Sequence, residues 1–280
     1  MEAHLIEPKA GTLFVVSTPI GNMGDFSFRA VETLRGVSAV LAEDTRHTRH
    51  LLDRYEIDAP LVAYHEHNEA KSTPRLVERL LNGESLALVS DAGTPLLSDP
   101  GARLVRSAID AGVHVSPVPG ASALLAALVA SGLDADRFTF FGFLARKGPE
   151  RRMAIEELVA LRHAAVLYEA PARVGTTLAE LAEAGADDRA TVVARELTKQ
   201  YEELRRGTVG QLAAYYAETP PRGEVVIVIA GRAPTGASED QLRARALALR
   251  AEGRSARDIA ATLSAELGAP RNLAYRVAHE

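Results

Sequence analysis

The chain has 280 residues, 47% of them hydrophobic and 25% charged, with no cysteine and a formal net charge of -5. That length suits two domains with a sizeable core, and the lack of cysteine excludes disulfides and thiolate chemistry and leaves any zinc site to His and carboxylates alone. The acidic balance argues against a general affinity for nucleic acid, so any such contact must rest on local basic patches.

Residues 1–10 carry Glu2, His4, Glu7 and Lys9 and lack the long apolar core of a targeting segment. Glu224 to Gly231, among the most apolar stretches, is strand-length and too short to span a bilayer. The expected location is cytoplasmic.

In chain order, Thr12 to Thr18 predicts a buried strand, followed by a turn through Pro19, Gly21, Asn22 and Gly24. Ser27 to Arg35 predicts a short helix. Further apolar runs lie at Val37 to Ala42, Leu61 to Tyr64, Ser85 to Ser90 and Val113 to Val118. Helical patterns separate them at Thr48 to Tyr55, Pro74 to Leu81 and Gly101 to Ala111. This rhythm predicts a mostly parallel sheet covered by helices. An apolar helix, Ala121 to Ala130, leaves Pro119-Gly120. Gly132 to Arg137 is the best domain boundary.

The alternation then restarts. Strands are predicted at Phe138 to Phe143, Ala164 to Glu169, Thr191 to Glu196 and Glu224 to Ala230. Helices are predicted at Glu150 to Ala160, Val174 to Ala184 and Val209 to Tyr216. Antiparallel pairing is more plausible here than in the first half. After a linker at Arg232 to Ser238, three helices follow at Glu239 to Ala251, Ser255 to Leu263 and Pro270 to His279. Ser255 with Asp258 is an acidic variant of the capping box. The tight, Gly-containing turns resemble a helix-turn-helix unit. The expected domains are therefore 11–131, 138–231 and a helical segment at 239–280.

Active sites in open α/β sheets gather at the C-terminal ends of strands. The end at Ser17 to Asn22 offers a glycine turn and an amide but no GxGxxG fingerprint. Glu43-Asp44-Thr45-Arg46-His47 follows an apolar run, and charges there need solvent, partners or a ligand. Asp44 and Arg46 are its preferred functional residues; an ion-pair network is the plainer reading. Tyr64 to Asn68 holds His65, Glu66 and His67. On an extended segment the two imidazoles point one way and Glu66 the other, with no third ligand evident, so no metal is expected.

The loop Val89 to Gly101 (VSDAGTPLLSDPG) is the most informative. Its backbone amides and the Asp91 carboxylate suit a ligand with an amine or hydroxyl end. The lysine of a phosphate loop is missing. Pro117 to Ala123 lets backbone approach a ligand at the start of a helix. The second half contributes Tyr168 to Arg173 and Arg195 to Lys199. Arg146, Lys147, Arg151 and Arg152, offset only by Glu150, form a basic patch suited to phosphates. In the tail, Arg254 and Arg271 belong to a set of arginines nearly balanced by acids.

Taken together these loops resemble those of the tetrapyrrole-methylase superfamily. The stretches are TPIGN at Thr18 to Asn22, LAEDTRHT at Leu41 to Thr48, YHEHNE at Tyr64 to Glu69 and SDAGTPLLSDPG at Ser90 to Gly101. PVPGASAL at Pro117 to Leu124, YEAPARV at Tyr168 to Val174, RELTK at Arg195 to Lys199 and GEVVIVIAG at Gly223 to Gly231 complete the series. More narrowly the chain is similar to the bacterial subgroup that methylates a ribose 2'-hydroxyl of small-subunit ribosomal RNA.

The resemblance implies an α/β fold of two domains with a cofactor cleft between them, plus a C-terminal helical segment. It implies S-adenosylmethionine held by Pro19, Gly21, Asp91, Ala92, Gly93, Thr94, Ser122, Tyr168 and Leu197. It also implies a homodimer acting on a cytidine in the decoding region of 16S rRNA, standard position 1402, within the small ribosomal subunit. For proton removal and charge stabilisation the candidates are Asp44, Arg46, His65, Glu66, Arg195, Glu196 and Lys199, with neutral Lys199 or a carboxylate as base. RNA contacts are expected from Arg146, Lys147, Arg151, Arg152, Arg254 and Arg271. A methyltransferase for a small tetrapyrrole and a non-catalytic RNA-binding factor are the competing readings.

Overall fold

A computed structural model describes residues 11–233 and 237–280. The N-terminal reading of residues 1–10 and the centre of the linker, 234–236, lie outside the described residues. The first sheet contains β1 (Thr12–Val16), β2 (Ala39–Ala42), β3 (Leu61–Ala63), β4 (Leu86–Val89) and β5 (His114–Val118). Its order is β3-β2-β4-β1-β5, and every pairing is parallel.

Parallel strands need crossovers, and the helices supplying them cover both faces. Phe14, Val16, Val40, Ala42, Ala87 and Val89 pack against Leu34 of α1 (Phe28–Gly36) and Leu52 of α2 (Thr45–Arg54). On the opposite face Leu13, Leu41, Leu86 and Leu88 meet Leu76 of α3 (Glu69–Leu81) and Leu104 of α4 (Ala102–Asp110). Burial on both sides is why these strands are unbroken apolar runs. Helix α3 begins at Glu69, not Pro74. Pro74 sits inside the helix, where it cannot donate to the preceding turn and its ring crowds the carbonyl there.

Helix α5 (Ala123–Ser131) ends the first half and lies on the second sheet. Leu124, Ala127 and Leu128 pack on Ala164, Val166, Ala194, Val226 and Val228. That sheet comprises β6 (Phe138–Phe143), β7 (Ala164–Glu169), β8 (Ala190–Arg195), β9 (Glu203–Thr208) and β10 (Val225–Ile229), in the order β6-β7-β10-β8-β9. Strands β6 and β7 are parallel; the other three pairings are antiparallel. Strand β9 escapes sequence detection because it is a charged edge strand, ELRRGT. The other sheet face is covered by α6 (Pro149–Ala160), α7 (Val174–Leu181) and α8 (Val209–Glu218).

Arg206 of β9 joins the halves by donating to the carbonyls of Ala130 (2.6 Å) and Ser131 (3.3 Å) at the C-terminal end of α5. A cation there also opposes the negative end of the helix dipole.

Helices α9 (Glu239–Ala251), α10 (Ala256–Leu267) and α11 (Arg271–His279) share a core of their own around Leu242, Leu249, Ile259, Leu263 and Val277. Ser255 caps α10, accepting from the Asp258 amide at 3.2 Å and donating to the Asp258 carboxylate at 2.7 Å. Among the described residues no helix is long and apolar enough to cross a membrane.

Candidate active site

The ends of β1, β4 and β5 are knitted together by backbone. Thr18 N–H donates to the Gly93 carbonyl (2.9 Å) and Gly93 N–H to that of Thr18 (3.1 Å). Thr18 Oγ1 donates to the Ser90 carbonyl, and Thr94 Oγ1 to that of Ala121. The turn after β1 also reaches the second domain, where Asn22 N–H donates to Thr198 Oγ1 at 3.1 Å. Between these loops and the ends of β7, β8 and β10 lies a cavity of about 410 Å³. That falls within the ordinary range for small-molecule sites.

Backbone strain concentrates around this cavity. Of five non-glycine residues with positive φ among the described residues, Leu96 and Ser98 lie in one bordering loop and Glu196 and Thr198 in the other. Such conformations persist only where surrounding structure enforces them, and they cluster at functional sites.

Of the expected cofactor residues, Asp91, Ala92, Gly93, Thr94, Tyr168 and Leu197 line the cavity. Pro19, Gly21 and Ser122 do not. Pro19 is buried beneath the loop, and Gly21 closes against the Lys199 stem. Ser122 caps α5, accepting from the Leu125 amide.

The charged candidates separate similarly. Asp44 is the N-cap of α2, accepting from the amides of Arg46 (2.8 Å) and His47 (3.4 Å), while Arg46 folds back onto it at 3.3 Å. The hydrogen bond from Arg46 holds the Asp44 carboxyl below its ordinary value. Asp44 and Arg46 thus do not line the cavity, whereas Glu43, one position earlier, does. An Asp directly before a helical run is an N-cap signal, and it was available in the sequence.

His65 and Glu66 also lie outside the cavity lining, close enough to Glu43 for their charges to act on it. Their segment is a turn, not an extended strand. Asn68 Oδ1 accepts from the His65 amide at 3.0 Å, and the His65 and His67 rings stand edge to face, 6.0 Å apart. Among the described residues no group of three or more His, Asp or Glu is disposed to hold a metal ion.

Two carboxyls near the cavity floor went unselected in the sequence. Burial, then the charges of Glu43 and Asp91, push Asp99 up to about 6. Burial and the Asp91 charge likewise raise Glu43. Like charges converging in a partly dry site each favour the neutral form until a cation arrives.

On the opposite side Lys199 Nζ bridges Glu196 (2.9 Å) and Glu224 (3.0 Å). Burial alone would lower the Lys199 pKa, but hydrogen bonds and charges from both carboxylates outweigh it and leave it raised. Lys199 is thus shared between two carboxylates, whose charges favour its protonated form. Glu196 accepts the Glu224 amide at 3.0 Å as well, and its pKa is lowered by that backbone bond and by Lys199. Gly223 is needed beside it, with φ +82° and an added Cβ 2.2 Å from Glu196 Oε1. Arg195 is engaged with Glu203 at 2.8 Å.

The reading of Arg151 is corrected. Only 6% exposed, it pairs with Glu180 (2.7 Å) and donates to Thr177 Oγ1 (2.9 Å) and the Ala145 carbonyl (3.1 Å). Thr177 in turn donates to Glu169, a cavity residue, at 2.6 Å. Arg151 thus braces the cavity wall and is not available to phosphate. Arg146, Lys147 and Arg152 are exposed and make no ion pair among the described residues, as do Arg254 and Arg271 in the tail.

Strand order and sheet pairing define a two-sheet α/β fold with a C-terminal helical segment and a cavity bordered by both sheets. The chain belongs to the family described as Tetrapyrrole (Corrin/Porphyrin) Methylases, which it matches over residues 12–213, and it is a methyltransferase. It is 44% identical to "Ribosomal RNA small subunit methyltransferase I" of Synechocystis sp., covering 96% of this chain and 98% of that protein. The protein of the same name from Xylella fastidiosa is 48% identical over 95% of this chain and 98% of its own length. Among solved structures, uroporphyrin-III-C-methyltransferase from Thermus thermophilus superposes with a TM-score of 0.56 at 20% identity, covering 79% of this chain and 94% of that one. That likeness concerns the fold.

Proposed function

We propose that this enzyme transfers a methyl group from S-adenosylmethionine to the ribose 2'-hydroxyl of a cytidine in the decoding region of 16S rRNA, acting in the cytoplasm as a homodimer on the small ribosomal subunit. The observation that carries the reading is similarity along nearly the whole chain, helical tail included, to relatives named for small-subunit ribosomal RNA. The proposed domains are 11–131, 138–231 and 239–280.

The cavity's chemistry fits the cofactor. Its walls combine apolar Ile20, Leu97, Leu197 and Val226 with the Asp91 to Thr94 backbone, and Glu43, Asp91 and Asp99 supply negative charge for a cationic ligand. Asp91, Ala92, Gly93, Thr94, Tyr168 and Leu197 would hold it, with Pro19, Gly21 and Ser122 shaping the loops behind. When bound, S-adenosylmethionine supplies a methyl group already activated on a sulfonium.

The protein's remaining tasks are alignment and proton removal. Glu43 is our candidate for accepting the hydroxyl proton. Its raised pKa brings it towards neutrality, where a general base is most effective, and it opens into the cavity. His65 and Glu66 adjust its charge from the adjoining turn. Lys199, tied between Glu196 and Glu224, fixes the loop beside the cavity, and Arg195 stiffens the same strand end. Asp44 and Arg46 anchor α2 behind Glu43. Arg146, Lys147, Arg152, Arg254 and Arg271 contact RNA phosphates.

The test is transfer from labelled S-adenosylmethionine to unmodified small subunits, with the label mapped by mass spectrometry of nuclease fragments. A single 2'-O-methylcytidine in the decoding region is expected. Demonstrated cofactor binding without any label would contradict the substrate assignment and turn attention to small tetrapyrroles.

A further inference from the structure

At the mouth of the cavity stands an aromatic ring that the core does not explain. Phe143 ends β6, an edge strand, and is 56% exposed although it borders the cavity. Its orientation has a specific cause. The β6–β7 register slips between Phe140 and Phe143. Gly142, inside the slip, has φ +61°, and a Cβ added to it would lie 2.8 Å from Ser98 Oγ. A bulge re-aims the side chain that follows it. Here it presses the strand end against the loop bearing Asp99 and turns Phe143 outward.

The ring is held from behind. Phe143 packs on Tyr168 with centroids 5.5 Å apart, and Phe140 meets the same Tyr168 edge to face at 4.9 Å. Tyr168 lines the cavity, so one aromatic stack runs from its wall to its rim. Three and four residues further along the chain are exposed Arg146 and Lys147, which border a separate depression with Arg152, Glu156, Glu180 and Glu183, and then comes the N-terminus of α6. The Gly148 cap of α6 makes no side-chain hydrogen bond. An exposed aromatic face followed within a few residues by cations outside any ion pair is the chemistry that recognises unpaired nucleotides: the ring takes a base, and the cations take phosphates further along the strand.

We propose that Phe143 is a stacking platform for an unpaired RNA base at the mouth of the cleft, with Arg146 and Lys147 holding phosphates further along the strand. The inference rests on the RNA-methyltransferase reading and adds to it the means by which the target strand is held splayed at the cavity. Phenylalanine has no polar group to distinguish bases, so the platform contributes affinity and alignment and leaves base choice to other contacts.

The test is direct binding. A single-stranded RNA of decoding-region sequence, with 2-aminopurine beside the target cytidine, is titrated with the wild-type protein and with Phe143→Ala, Phe143→Leu and Phe143→Trp. Cofactor affinity is measured on the same preparations, and circular dichroism checks folding. The wild type and Phe143→Trp are expected to quench the fluorophore. Phe143→Ala and Phe143→Leu should lose the quench and bind RNA about tenfold or more weakly with each protein saturated with cofactor.

Unaltered quenching in Phe143→Ala overturns the proposal. So does a loss of cofactor affinity with RNA affinity unchanged, which would assign the ring to the cofactor. Absence of RNA binding by the wild type overturns it too. Because the readout is binding, a wild type that quenches but never methylates would sink the proposed reaction and leave the platform standing.

Discussion

On the first-domain side of the cleft, Glu43, Asp91 and Asp99 converge on loops tied together by paired backbone hydrogen bonds between Thr18 and Gly93 and by the Thr18 and Thr94 hydroxyls donating to the carbonyls of Ser90 and Ala121. On the second-domain side, the rim carries Phe143 and Tyr168, with Arg146 and Lys147 three and four residues on from Phe143 in the chain, and Lys199 is shared between Glu196 and Glu224. The first wall is acidic and built from strand ends; the second rim is aromatic, built on a bulged edge strand and followed in the chain by basic residues. On the proposed reading, the contrast teaches how a chain of net charge -5 can serve a polyanion: acid is used for the small cationic donor, and base only for a strand of phosphates.

Four predictions break or sharpen that contrast. The largest effect is expected from Glu43→Gln, which keeps size and removes the proton acceptor. Single-turnover methylation should fall roughly 10²–10⁴-fold with little change in RNA affinity. An unchanged rate would remove Glu43 from the chemistry.

Next comes the pair Arg151→Ala and Arg152→Ala, neighbours in sequence and opposites in environment. Losing Arg151 strands Glu180 and Thr177 and should cost about 2–3 kcal/mol of stability, read as a lowered Tm. Arg152→Ala should stay within about 0.5 kcal/mol and act on RNA affinity alone. Equal effects on Tm would refute the division.

Smaller still is the change from Arg146→Ala, Lys147→Ala and Arg152→Ala combined. The slope of log affinity against log salt for single-stranded RNA should flatten by about 2, at roughly 0.7 per phosphate contact. An unchanged slope would show that the rim does not meet phosphate.

The finest effect is pH-dependent. Asp99 is raised from an ordinary value of 3.8 to about 6, so between those values the folded state holds more protons than the unfolded one, and stability declines as pH rises through the window. Asp99→Asn should therefore be more stable than wild type at pH 7, by about 1–2 kcal/mol after allowance for solvent screening, while binding the cofactor more weakly. Wild-type cofactor affinity should improve from pH 5 to 7, and in the variant that dependence should flatten. Chemical denaturation and calorimetry at both pH values check the two halves.

Much of this architecture was legible in the sequence, for identifiable reasons. Leu13, Leu41, Leu86 and Leu88 face one helical layer and Phe14, Val40, Ala87 and Val89 the other, so the strands are continuous apolar runs. Strand β9 was hidden because Glu203 and Arg205 satisfy each other and Arg195 on an edge, leaving no apolar alternation. The start of α3 was hidden by Pro74.

Within the site, the loop from Asp91 to Thr94 was legible because glycine and small polar residues at a strand end carry the signal themselves. The distinction between Glu43 and Asp44, or between Arg151 and Arg152, depends on which of two adjacent side chains turns inward. For Asp44 the capping rule supplied a clue. For Arg151 the deciding partners, Glu180 and Thr177, are distant in sequence. Phe143 was unreadable as anything but a strand residue until the bulge at Gly142 was seen.

The measurement that bears most directly on the division of the cleft is a cross-titration. Cofactor and single-stranded RNA are each titrated onto Asp99→Asn and onto the combined Arg146→Ala, Lys147→Ala, Arg152→Ala protein. Asp99→Asn should weaken the cofactor and leave RNA alone, and the triple variant should do the reverse. If both proteins lose affinity for the same ligand, the two walls do not serve separate substrates and the account is wrong.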